Sequence, residues 1–274
     1  MTACTGVLTL REIGLVPPFV LTSPLLPVVH GFSTRAGGVS QGACASLNLG
    51  FSVGDVAADV EENLSRFAGA LGISRGALRR MSQVHGNHVL EVQGAAPTSE
   101  AEHSEVLPPV GAADGLWTRV PGLGLGVLTA DCVPLLLVDP DGGRVAAVHS
   151  GWKGTVQRIA QVAVEALVGQ GARADRLLAA TGPCIRPCCY QVGAELGARF
   201  TQTFGGGVAT ADGEAHARLD LVEAVRRTLL QAGLRDGHVD ALPQCTACEP
   251  ERFFSHRRDA GRTGRMLSVI VAPA

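Results

Sequence analysis

The sequence predicts an α+β fold in which mixed sheets are covered by helices, and three observations carry that prediction. Short runs rich in β-branched residues recur along the chain, several of them adjacent. Longer stretches with the 3.6-residue apolar period of amphipathic helices are placed irregularly among them. Hydrophobic residues make up 46% of 274 positions, enough to bury a large core without disulfides or a partner. Aromatic residues are only 4%, against 35 glycines and 15 prolines, so packing is expected to come from Val, Leu and Ala in a tightly turned chain. No internal repeat or low-complexity linker divides the sequence, and residues 1–274 read as one domain.

The strand candidates in chain order are VVHGFST (28–34), QVHGNHVLEV (83–92), LGLGVLTA (123–130), VPLLLVDP (133–140), RVAAVHS (144–150), RLLAATG (176–182), VDALP (239–243) and RMLSVIVA (265–272). DPDGG, between the fourth and fifth, is a turn signal that predicts a hairpin. Helices are predicted over 55–72, 154–171 and 219–234. In the second of these Val156, Ile159, Ala160, Ala163, Ala166 and Leu167 form one stripe, and Gly169 can end it. Residues 94–113, small, acidic and proline-containing without periodicity, are expected to be a surface loop.

A formal charge of -2 gives no electrostatic footprint for nucleic acid or an anionic membrane. No run of 18 uncharged apolar residues occurs; the nearest, around Leu123 to Val138, carries Asp131. The N-terminal stretch lacks a basic region before its apolar part and is interrupted by Arg11, Glu12 and Pro17-Pro18, so no signal peptide is predicted and the expected compartment is the cytoplasm. Eight cysteines in a reducing compartment are expected to be buried, catalytic or metal-bound rather than bridged.

LTADCVPLLLV (128–138) places a carboxylate and a thiol inside a run that otherwise reads as core. The predicted hairpin would bring Cys132, at the start of one strand, to the same end of the sheet as His149, at the end of its partner. His85 sits in another strand candidate beside a glycine. Taken singly, each is compatible with an ordinary core residue. Together, one thiolate and two imidazoles are preferred zinc donors, and three protein ligands leave a fourth position open for water or substrate. Asp131 beside the ligand is then a candidate to shuttle a proton or orient an imidazole. The same residues also admit a metal-free reading, with Cys132 as nucleophile, His149 as base and His85 or Asp131 orienting it. With eight His, three Met and no His-x-His pair, the chain is a poor match to a multicopper oxidase, so copper is not expected.

HGFSTRAGGVS, SLNLG, QVHG, ADGL, TADCVPLLL, AAVHSGWKGT, GPCI, CCYQVG, CT, FFSHRRD and TGR occur in an order that resembles the YfiH/laccase-domain family, over about residues 30–270. That family is also called multicopper polyphenol oxidase or purine nucleoside phosphorylase, and some relatives are described as peptidoglycan editing factors. The resemblance implies an α/β/β/α layered domain with one zinc held by His85, Cys132 and His149. It implies phosphorolysis of adenosine, inosine, guanosine and methylthioadenosine, with adenosine deamination as an added activity. An amidase acting on peptidoglycan fragments through Cys132 and His149 is the alternative. Arg35 and Asn48 are the expected contacts for phosphate and nucleoside, with Lys153, Arg257, Arg258 and Arg265 as additions and Trp152 as a surface for base stacking. Asn63 is followed by Leu64 where the family often has Arg, with Arg66 as a substitute candidate. Cys184 stands where Ser is common, and Cys188, Cys189, Cys245 and Cys248 are further thiols. CTAC is a solitary CxxC without a second ligand pair. The oligomeric state is not encoded in any of these motifs.

Overall fold

The structure, a computed structural model, describes residues 20–94 and 106–274. The N-terminal expectations, and part of the loop predicted over 94–113, lie outside the described residues. Two large mixed sheets stack face to face. The five-stranded sheet runs β1 (Val20–Leu21), β2 (His30–Ser33), β14 (Met266–Val271), β6 (Gly124–Thr129), β3 (Leu78–Arg79). The six-stranded sheet runs β13 (Val239–Ala241), β9 (Leu178–Thr181), β7 (Val133–Asp139), β8 (Arg144–Ser150), β5 (Gly115–Thr118), β4 (Val89–Glu91). A small sheet of β10 (Gln191–Gly193), β12 (His216–Leu219) and β11 (Ala209–Ala211) stands apart.

Strand periodicity explains the layering. Val133, Leu135 and Leu137 of β7 face one apolar cluster while Leu136 and Val138 face another, so a strand buried on both sides reads as a continuous apolar run. The cluster between the sheets joins Leu136, Val138, Val145 and Ala147 to Phe32, Leu125, Val127 and Ile270. Outside the five-stranded sheet, α1 (Ala57–Ala70) packs Val60, Leu64 and Phe67 on Leu267 and Val269. Outside the six-stranded sheet lie α2 (Trp152–Val156), α3 (Ile159–Gly169), α4 (Ala194–Phe204) and α5 (Leu221–Gln231). The order is therefore α/β/β/α. Asp220 starts α5 by accepting a 3.0 Å hydrogen bond from the Glu223 N–H.

The predicted hairpin is present, with Val138 opposite Val145 across the DPDGG turn. Two expectations need correction. The helix predicted over 154–171 is broken at Arg158, whose φ of 58° is left-handed; its second part, α3, ends at Gly169 as expected, and Gly171, at φ 96°, takes the turn that follows. QVHGNHVLEV is mostly not strand: only Val89–Glu91 pairs. The described tail of the predicted surface loop is irregular and exposed at residues 108–110, as expected, and with Leu107, Pro108 and Pro109 it also walls a cleft. Among the described residues, no helix is long and apolar enough to cross a membrane.

Candidate metal centre and cleft

The chain passes from the five-stranded to the six-stranded sheet between β3 and β4, and again between β6 and β7. His85 lies on the first passage and Cys132 on the second. The amide side chain of Gln83 ties them, donating to the Leu128 carbonyl and accepting from the Leu128 N–H, both at 2.8 Å. His149 sits opposite Pro134 at the end of β8, as the hairpin register requires. The result is one group of donor atoms, from His85, Cys132 and His149, all within 4.8 Å of one another. Two imidazoles and a thiol in this compass match the donor set of a three-ligand site that could hold a metal ion.

Asp114 organises the group. Its fully buried carboxylate accepts from the N–H groups of Val84 (3.2 Å), His85 (2.9 Å) and Gly86 (2.6 Å), which holds His85 at a left-handed φ of 61°. It also accepts from His149 Nδ1 at 2.8 Å, which commits that nitrogen as donor and leaves Nε2 for the thiol or an ion. Burial opposes the charge on Asp114, but hydrogen bonds from His149 and Gly86 outweigh it and hold the carboxyl below its usual range.

Burial likewise opposes ionisation of Cys132, yet the charge and hydrogen bonds of His149 and His85 bring its thiol down to about 6. For His149, burial works against the proton, while the Cys132 thiolate and Asp114 raise it to about 9. Between those two values the metal-free pair is a thiolate facing an imidazolium. A metal must displace the imidazolium proton, so uptake near pH 7.5 releases about one proton per ion, and below about pH 6 a second comes from the thiol. Zinc titration calorimetry in buffers of differing ionisation enthalpy reads this number directly; proton-free uptake at pH 7.5 would contradict the pairing.

Gly151 leaves the space these groups need. A Cβ there would lie 3.0 Å from Cys132 Sγ, 3.3 Å from His85 Cδ2 and 3.7 Å from His149 Cε1. Its backbone, at φ -73° and ψ 171°, is open to alanine. Gly151→Ala should therefore lower metal affinity by about tenfold or more while moving the unfolding temperature only slightly. Competition with a metal-binding dye and a thermal melt check the two halves separately.

A cleft of about 940 Å³ opens from the centre. Arg80, Arg257 and Arg265 line it. Their side-chain hydrogen bonds go to backbone carbonyls: Arg80 to Leu107, Arg257 to Gln191, and Arg265 to Thr263 and Gly264. Trp152 and Tyr190 add apolar walls, and Arg257 lies 5.0 Å over the Tyr190 ring.

Several sequence expectations fall elsewhere. Arg35 is not at the cleft: its guanidinium binds the Ala45 and Pro250 carbonyls and stacks on Phe254, which braces a loop. Asn48 is fully buried, bonded to Gly50, Asp55 and the Arg265 N–H, so it shapes the backbone under Arg265 rather than offering a free amide. Lys153 is exposed and turned over the Trp152 ring. Arg66 pairs with Glu62, and Arg258 with Asp259. Asp131 lines the cleft, but its two oxygens accept from Thr246 Oγ1 and the Arg257 N–H, both at 2.6 Å. The imidazole is oriented by Asp114 instead. Asp131 has φ 96°, and these bonds hold the turn at which the chain changes layers. Sequence reasoning missed Asp114, Gln83, Gly151 and Arg80. Asp114 carried a signal of the same kind as Asp131: a charge set directly before the buried run Gly115–Thr118.

The layered domain thus carries, at its sheet ends, a three-donor group that could hold a metal ion, with a cleft lined by Arg80, Arg257 and Arg265 beside it. Residues 29–273 match the family described as multi-copper polyphenol oxidoreductase laccase, and the chain belongs to it. It is 43% identical over 255 residues to a purine nucleoside phosphorylase of Deinococcus radiodurans, covering 93% of each chain. It is 35% identical to the adenosine deaminase RL5 from an unknown prokaryotic organism, over 88% of this chain and 93% of that one. A solved structure of Bacillus licheniformis YfiH superposes with a TM-score of 0.86 at 31% identity, covering 95% and 99% of the two chains.

Proposed function

We propose that the chain is a zinc-dependent purine nucleoside phosphorylase of the cytoplasm, acting on adenosine, inosine, guanosine and methylthioadenosine, with adenosine deamination as a second activity. The observation that carries this reading is the cleft of about 940 Å³ running from the three-donor centre past Arg80, Arg257 and Arg265. These guanidiniums bond carbonyls rather than carboxylates, so their charge is available to an anion. The names of the relatives agree with it.

His85, Cys132 and His149 would hold the zinc, whose Lewis acidity and activated water, with a pKa near ~7, are the chemistry adenosine deamination needs. Phosphorolysis forms a bond from a phosphate oxygen to the sugar C1′ as the bond to the purine breaks, its electron pair leaving with the base. Arg257 and Arg265 would position the phosphate for in-line approach and offset its charge. Trp152 and Tyr190 would flank the flat purine. Leu64 stands where the family resemblance implies an arginine, and Arg80 lines a small cavity with Leu64, bringing a guanidinium to that side. Copper oxidation is disfavoured by the donors themselves. Among the described residues, the His/Cys groups are this His2Cys set and a four-cysteine set, and neither offers a trinuclear histidine cluster.

The test incubates zinc-loaded protein with inosine or adenosine, with and without phosphate. Free base and a sugar phosphate formed only with phosphate support the proposal; base release that ignores phosphate, or no turnover of any nucleoside, defeats it. A second reading is favoured by one observation: His149 bridges the Cys132 thiolate to Asp114, a nucleophile, base and orienting carboxylate. A thiol hydrolase acting on peptidoglycan fragments would work metal-free and be stopped by alkylation of metal-free protein.

A further inference from the structure

Outside the site described above, the fold gathers four thiols that the sequence scatters over 61 positions. Cys188 and Cys189 follow one turn, closed by the Cys189 N–H to the Arg186 carbonyl at 2.9 Å. Cys245 and Cys248 flank another, closed by the Cys248 N–H to the Cys245 carbonyl at 3.1 Å. The two segments are held side by side by a parallel bridge between Cys184 and Cys245, with the Thr246 N–H on the Cys184 carbonyl at 3.0 Å. The CxxC that lacked a partner pair in the sequence thus acquires one. All four sulfurs lie within 4.8 Å of one another, with Cys248 Sγ 3.5 Å from Cys188 Sγ and 3.3 Å from Cys189 Sγ.

We propose that Cys188, Cys189, Cys245 and Cys248 form a second, structural metal site that takes one zinc ion as a closed tetrathiolate. Zinc–sulfur bonds of ~2.3 Å set the edges of such a tetrahedron at about 3.8 Å, inside the spread observed. A multinuclear iron–sulfur cluster, whose thiolates sit on different irons, needs its sulfurs further apart. Four thiols lose their protons to the solvent on binding, and no electron transfer is involved. The Cys245 sulfur already receives the Arg186 N–H at 3.4 Å and the N–H groups of Ala247 and Cys248, donors that stabilise a metal-bound thiolate. With four protein ligands the ion has no open position for substrate, so its role is structural. It staples one wall of the cleft: Ile185 and Tyr190 bracket the first cysteine pair, and Thr246, beside Cys245, holds Asp131 next to Cys132.

The experiment counts zinc in the full chain purified under reductant. The wild type is expected to carry two ions, and Cys132→Ala to keep one. Reconstitution of Cys132→Ala with cobalt should then give the thiolate-to-cobalt charge-transfer absorption of a tetrahedral sulfur site. Cys188→Ser/Cys248→Ser should lose that absorption and one zinc, with a lower unfolding temperature. A folded Cys132→Ala protein that holds no metal overturns the proposal. So does peptide mass spectrometry finding these cysteines in disulfides, or a wild-type chain with one zinc that the double serine variant retains.

Discussion

Replacing Asp114 by asparagine is expected to lower zinc affinity about 10–100-fold and to cut catalytic efficiency by a similar factor. The carboxylate accepts three backbone N–H groups around His85 and the Nδ1 proton of His149, so one side chain sets the orientation of two candidate ligands. Asparagine keeps the shape but turns one acceptor atom into a donor facing N–H groups, and it removes the charge that favours the correct tautomer. Asp131→Asn is the matched control. Its oxygens serve Thr246 and the Arg257 N–H, so it should reduce stability and leave zinc affinity nearly unchanged. Zinc competition titrations on both proteins, with circular dichroism to verify the fold, decide the matter. Wild-type affinity in Asp114→Asn would show that the imidazoles are oriented by something else.

Arg265→Met is expected to lower kcat/KM for phosphate by about 10²–10³-fold while zinc content stays at the wild-type level. Arg265 lines the cleft, and its guanidinium, drawn below its usual pKa by burial and pulled back by the charges of Cys132, Cys44 and Asp131, bonds only carbonyl oxygens in the structure's hydrogen-bond network. A cation held this way is oriented without being neutralised. Lysine should restore part of the loss, because it returns the charge but not the planar fork. Phosphate titration of initial rates separates this from a folding defect: the variant should keep its affinity for nucleoside and lose dependence on phosphate. Equal losses toward both substrates would remove Arg265 from the phosphate site.

The unequal fate of the sequence expectations has a physical pattern. Cys132, His85 and His149 were legible because their chemistry is intrinsic to the side chains and because a thiol and a carboxylate within a buried run are conspicuous. The hairpin that brings Cys132 to His149 follows from a turn signal between two apolar runs, a local feature. Arg35, Asn48 and Lys153 do not line the cleft, and their sequence could not say so, because a guanidinium, an amide or an ammonium has the same appearance in sequence whether it faces a cleft or a backbone carbonyl. Which of these it meets depends on partners far along the chain, such as Pro250 for Arg35 and Arg265 for Asn48.

Sequence alone determined the family, through motifs in a fixed order, and singled out His85, Cys132 and His149 as a candidate donor set, since ligand chemistry belongs to the residues themselves; apolar period predicted mixed sheets covered by helices, and the layer order came with the family resemblance. The tertiary structure decided who supports them. Asp114 meets His85 and His149, Gln83 meets Leu128, and two cysteine pairs meet each other only because the chain crosses between sheets and its turns are stacked side by side. Hydrogen bonds and coordination are satisfied over a few ångströms of space, and separation along the chain carries no record of that distance.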